Sequence, residues 1–149
     1  MFVAVLCGLC VPAVRVKAQS AAHASVVYLG VGHPTGACLA KLQTLDRELQ
    51  SFPFPSDWTL EVACDPVIWQ QALRRADFPR TSTAFTGIKP KITVLNGAIF
   101  ENGATFYRHT LAHELGHIRC QCGDEALAET IGVAFLASAE YVAIGTPGK

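Results

Sequence analysis

The segment His113-Glu114-Leu115-Gly116-His117 dictates a helix if its side chains are to act together. Two residues four apart on an α-helix are separated by about 400° of rotation and roughly 6 Å of rise. The two imidazoles then lie one above the other on a single face. Both can reach one metal ion at the short distances, about 2.0–2.1 Å, that zinc demands of nitrogen ligands. Glu114 is offset by one residue, near enough to address a water on that ion without being a ligand. This spacing points to metal-assisted hydrolysis with the glutamate as general base.

The surrounding sequence supports the helix. Residues 105–120 contain no proline, and Gly116 is their only glycine. Leu111, Leu115 and Ile118 recur at helical spacing and are expected to face the core. Asn102-Gly103 breaks the chain before this helix, with Thr105 as the expected N-cap. The helix ends near Cys120-Gln121-Cys122-Gly123. Asp124 is the expected cap of a second helix through Ala128, Ile131 and Phe135, stopped by Gly145 and Pro147.

A catalytic zinc keeps three protein ligands and one open position. His109 lies about 12 Å along the axis from His117, too far for three ligands in a row to converge, so it is expected beside the site. Asp124, Glu125 and Glu129 remain as candidate third ligands. The segment from Glu125 to Glu129 resembles the Glu-x-x-Ala-Asp signature of the gluzincin metallopeptidases, whose two helix-borne histidines are joined by a glutamate from a following helix. The resemblance covers about the last third of the chain. It implies Zn²⁺ held by His113, His117 and Glu125, with Glu129 orienting a ligating histidine. Two departures stand out: Glu129 replaces the usual Asp, and seven residues separate His117 from Glu125. A metzincin pattern fits worse, because its third histidine falls at Gly123.

With 149 residues the chain is expected to form one domain. Twelve basic and twelve acidic residues cancel and form no basic block, which argues against nucleic acid as a partner. Residues 2–14 are nearly all apolar, too short to span a bilayer but suited to a signal segment. Residues 1–24 therefore read as a signal peptide and 25–149 as the domain, with a secreted or periplasmic location. Removal of Cys7 and Cys10 leaves Cys38, Cys64, Cys120 and Cys122, which can pair in three ways. Bridges from Cys38 and Cys64 would pin the turn after the histidine helix. A thiolate ligand from Cys120 or Cys122 is the rival reading.

The middle of the chain alternates. Strands are expected at 25–31 and 58–64, an amphipathic helix at Leu39, Leu42, Leu45 and Leu49, and a short helix opened by Asp65-Pro66 and running to about Arg75. Strands at 81–86 and 91–95 flank a turn and read as a hairpin. The order β-α-β-α-β-β-α-α gives an α+β domain, a small mixed sheet packed on helices with the zinc-binding pair last. The resemblance implies that the strand directly before the zinc helix, here 91–95, edges the cleft and accepts an extended peptide, an ordinary core strand being the alternative. A further donor to the oxyanion is expected, for which Tyr107 and His109 are the nearest candidates in sequence, a structural role being the alternative for each. The function expected from all this is a zinc-dependent metallopeptidase acting on a peptide or protein substrate. A non-catalytic zinc-binding module and a metal-dependent amidase acting on a non-peptide substrate are the alternatives.

Overall fold

The computed structural model describes residues 23–144, with side chains as far as Ser138. The proposed signal segment and the stop signals Gly145 and Pro147 lie outside or almost wholly outside these residues. The chain runs β1 (Ser25–Tyr28), α1 (Gly36–Glu48), β2 (Thr59–Ala63), α2 (Pro66–Ala76), β3 (Ala84–Gly87) and β4 (Ile92–Asn96). A 3-10 helix (Gly97–Asn102), α3 (Ala104–Cys120) and α4 (Glu125–Ile144) follow. The architecture is α+β in the expected order, with the 3-10 helix added. Asp65 caps α2 as its sequence predicts, its carboxylate accepting the Val67 amide at 2.7 Å. The cap expected of Thr105 does not form: α3 starts two residues earlier than that cap requires, and Gly103 at φ 88° occupies the cap position without a side-chain bond.

The four strands lie in the order β1-β2-β4-β3. The β1/β2 and β2/β4 pairs are parallel, and β3 runs antiparallel to β4. Of the two readings of 91–95 the core strand holds and the cleft-edge one does not: β4 is an inner strand, and β3 is the edge. The hairpin turns β3 outward while β4 takes the place beside β2 that a parallel crossover through α2 reaches.

Strand alternation divides the sheet into two faces. Val26, Leu60, Val62, Ala84 and Leu95 meet α1 and α3 in one apolar cluster, which Phe135 of α4 joins. Ala63 and Val94 point the other way, onto Trp69 and Leu73 of α2. Leu45, Leu60, Val62, Leu73, Leu95 and Leu111 are wholly shielded from water. Each such side chain contributes about 1.5–3 kcal/mol of transfer free energy. Cys38 and Cys64 are disulfide-bonded and tie α1 to the end of β2, while Cys120 and Cys122 bond each other. Of the three possible pairings the structure thus takes the one with a short bridge within the turn after α3, and neither of its cysteines is a thiolate ligand. Two disulfides suit an oxidising compartment. Among the described residues no helix is long and apolar enough to cross a membrane.

Candidate metal centre

The site arises from how closely α3 and α4 approach. A Cβ on Gly116 would stand 2.1 Å from the Ala128 carbonyl oxygen, and one on Gly132 would stand 2.7 Å from that of Ala112. Ala112 and Ala128 are themselves buried. Each helix therefore brings a small residue, then a glycine four positions on, to the crossing, and backbone meets backbone. That approach carries the first turns of α4 across the histidine face of α3.

Three donor atoms meet there. Nε2 of His113 lies 3.0 Å from Oε2 of Glu125, and 3.2 Å from Nε2 of His117. The third side of the triangle, His117 Nε2 to Glu125 Oε2, measures 3.5 Å. A tetrahedral site with bonds of about 2.0–2.1 Å sets its ligand atoms about 3.3–3.4 Å apart, so the triangle has the size of a zinc face. Among the described residues these three form the one group of His, Cys, Asp or Glu close enough to hold a metal ion.

The outer ring nitrogens set the tautomers. Nδ1 of His117 is 3.0 Å from the Cys122 carbonyl oxygen, which can only accept, so Nδ1 carries the hydrogen. Nδ1 of His113 is 2.9 Å from Oε2 of Glu129. The hydrogen bond from His113, with help from nearby His109, pulls the Glu129 carboxyl below its ordinary value, so it also accepts. When both rings are neutral, both Nε2 lone pairs then face the Glu125 carboxylate with no hydrogen between them. Three acceptors at this separation repel one another unless a cation lies among them, which is the chemical argument that the donor set fits a metal. A proton on His113 can take the same place. Burial works to lower the His113 pKa, but Glu129, Glu114 and Glu125 outweigh it and raise it.

The remaining sequence candidates fall as follows. Asp124 caps α4 through the Leu127 amide at 2.9 Å. His109 sits beside the site, 3.0 Å from the second oxygen of Glu129. Tyr107 takes the structural one of its two readings: its hydroxyl donates to Glu48 of α1 at 3.0 Å. With Arg108, which also pairs with Glu48, it fastens α3 to α1.

Glu114 is buried beneath the cleft, only 4% exposed. Burial raises its pKa, while the Thr86 hydrogen bond and the two histidines pull the other way. Two cavities of about 280 and 310 Å³ share Ser82, Ala84 and Glu114 as walls. The first adds His117 and Glu125 together with the apolar surfaces of Phe78 and Ile88. The second adds His113, His109 and Glu129. Strand β3 runs along the first, and its first residue, Ala84, with the segment before it borders the second. The Asn96 amide donates to the Thr83 carbonyl at 2.9 Å, which fixes the alternation of the β3/β4 ladder. By that alternation the main-chain groups of Ala84 and Thr86 point away from β4 to the open edge.

Sequence reasoning missed Thr86, Gly132 and the packing role of Gly116. The repeated small-residue spacing at 112/116 and 128/132 was the available signal for the glycines. Comparison with known proteins gives no match, whether to a family model, a curated protein or a solved structure.

Proposed function

We propose that this chain is a zinc-dependent metallopeptidase of the gluzincin type, working in a secreted or periplasmic setting. The observation that carries the reading is the buried Glu114 carboxylate in a cleft beside three donor atoms at chelating separation. Zinc held by His113, His117 and Glu125 supplies Lewis acidity toward a water and a substrate carbonyl. Glu114 accepts the proton of the attacking water and passes it to the leaving amine. Its burial favours this role, because a carboxylate with a raised pKa is a stronger base. Glu129 holds His113, and the Cys122 carbonyl holds His117, each with its Nε2 lone pair turned inward.

The edge of β3 supports a peptide as the substrate. The outward amides and carbonyls of Ala84 and Thr86 can pair with an extended main chain whatever its side chains are. A purely metal-binding module has no need of a buried carboxylate or of an open strand beside its ligands.

Cleavage of a mixed peptide library by the zinc-loaded protein, run beside Glu114→Gln, tests the reading. Wild type is expected to cut. The variant is expected to retain zinc and to lose at least about 100-fold in rate, the usual contribution of a general base. Equal cutting by the variant, or none by zinc-loaded wild type, would overturn the proposal.

A further inference from the structure

Behind Glu114 a line of hydrogen bonds leads into the core. The Thr86 hydroxyl lies 2.7 Å from Oε2 of Glu114, and 2.8 Å from the Thr93 hydroxyl. Nε1 of Trp58 in turn donates to Thr93 at 3.0 Å. Thr93 and Trp58 are buried. Thr86 faces Thr93 across the β3/β4 ladder.

Every hydrogen in this line has one place to go. The indole nitrogen only donates, so the Thr93 oxygen accepts from it. The Glu114 carboxylate only accepts, so the single Thr86 hydrogen goes to Oε2. The Thr86 oxygen must then accept from Thr93. Polarity thus runs one way, from indole through two hydroxyls to carboxylate, and bonds aligned in series strengthen one another.

We propose that Thr86 is a positioning residue for Glu114, its hydroxyl oriented by Thr93 and Trp58 so that Oε2 is held and Oε1 is the oxygen that takes the proton. This rests on the peptidase reading above. The same residue turns its main-chain groups to the open edge, so one position of β3 both steadies the base and borders the substrate. Because a side-chain replacement leaves those main-chain groups in place, the effect belongs in kcat rather than KM.

The test uses the full zinc-loaded chain with Thr86→Val, Thr86→Ser and Thr93→Val, measuring zinc affinity, kcat and KM on a cleaved peptide. The Trp58 indole ¹H–¹⁵N resonance is followed in parallel, assigned with Trp69→Phe. Thr86→Val is expected to lower kcat about 10- to 100-fold, the scale of losing reactive alignment. Its KM and zinc affinity should stay within about twofold, and Thr86→Ser should recover kcat to within about threefold. Thr93→Val should lower kcat in the same sense but less. The indole resonance should move in Thr86→Val and in Glu114→Gln, and stay in Thr86→Ser. Unchanged kcat in both valine variants, or a serine variant as slow as Thr86→Val, would overturn the proposal. A wild type that binds zinc but cuts nothing sinks the peptidase reading alone. In that case the indole resonance still decides the positioning role, and its indifference to both Thr86→Val and Glu114→Gln would end it.

Discussion

Between the sheet and α1 the layers stand apart and are filled by large side chains, among them Leu45, Leu60 and Leu95, all shielded from water. Between α3 and α4 the space itself is gone, because Gly116 and Gly132 let backbone touch backbone. The first arrangement gains its free energy from buried apolar area. The second forgoes area, and places two glycines in helix interiors where each costs about 1 kcal/mol relative to alanine. What it gains is reach: Glu125 and Glu129 arrive at the histidines only because the helices come this close. The Glu125 side chain is 71% exposed, so little packing holds it against the site. The sheet half is built to be stable, and the helix pair to let polar atoms converge.

Chelation should break the comparison most openly. At zinc 1,000-fold above its Kd, removing the metal is expected to cost about 4 kcal/mol of stability. Hydrogen exchange with and without chelator should show the first turns of α4 losing protection before β2 and β4 do; a uniform loss would mean that the two regions are not distinct. Core truncation and glycine filling should then separate the regions by readout. Leu45→Ala is expected to cost about 2–5 kcal/mol in denaturant melts and to leave zinc affinity unchanged. Gly116→Ala should cost less stability, about 1–3 kcal/mol, yet weaken zinc binding, because the helices must part.

A smaller effect is expected from Glu129→Gln. It keeps the shape but loses the charge that orients His113, for a loss of about 10- to 100-fold in zinc affinity by competition titration. Last comes pH. His113 holds its proton above the ordinary histidine value of 6.5 in the metal-free protein. Acidification through that window should therefore weaken zinc binding, since the ligand must be deprotonated. The same proton should stabilise the metal-free fold below the unfolded pKa, a gain lost as pH rises through the raised value. Melting temperatures of the loaded and metal-free forms should thus move in opposite directions with pH. Parallel movement would contradict the shared proton.

These features differ in how they were written into the chain. Asp65-Pro66, Asp124 and the leucines of α1 announce their helices through local chemistry, and the element order is readable from such signals. The histidine pair is equally local. By contrast, the edge position of β3 depends on which partner β2 takes, and residue order alone suggests β4. Thr86, Thr93 and Trp58 carry no pattern that links them to Glu114; only the register of three strands brings them together. Gly116 reads as a weak point in a helix until Ala128 is placed against it. Tyr107 looked like a site residue because of its nearness in sequence, and its hydroxyl instead serves Glu48 on α1.

The Cys122 carbonyl that orients His117 belongs to the turn directly after α3, and every donor atom of the metal site lies within the few turns of chain from His113 to Glu125. Metal capture, if the proposal holds, is therefore a matter of low contact order, available to a helical hairpin early in folding and transferable to another scaffold as one cassette. The support for the base is the reverse, since it is complete only after distant strands have found their register. On the proposed reading, a descendant of this chain whose sheet drifted would keep its metal donors long after it lost the support for Glu114.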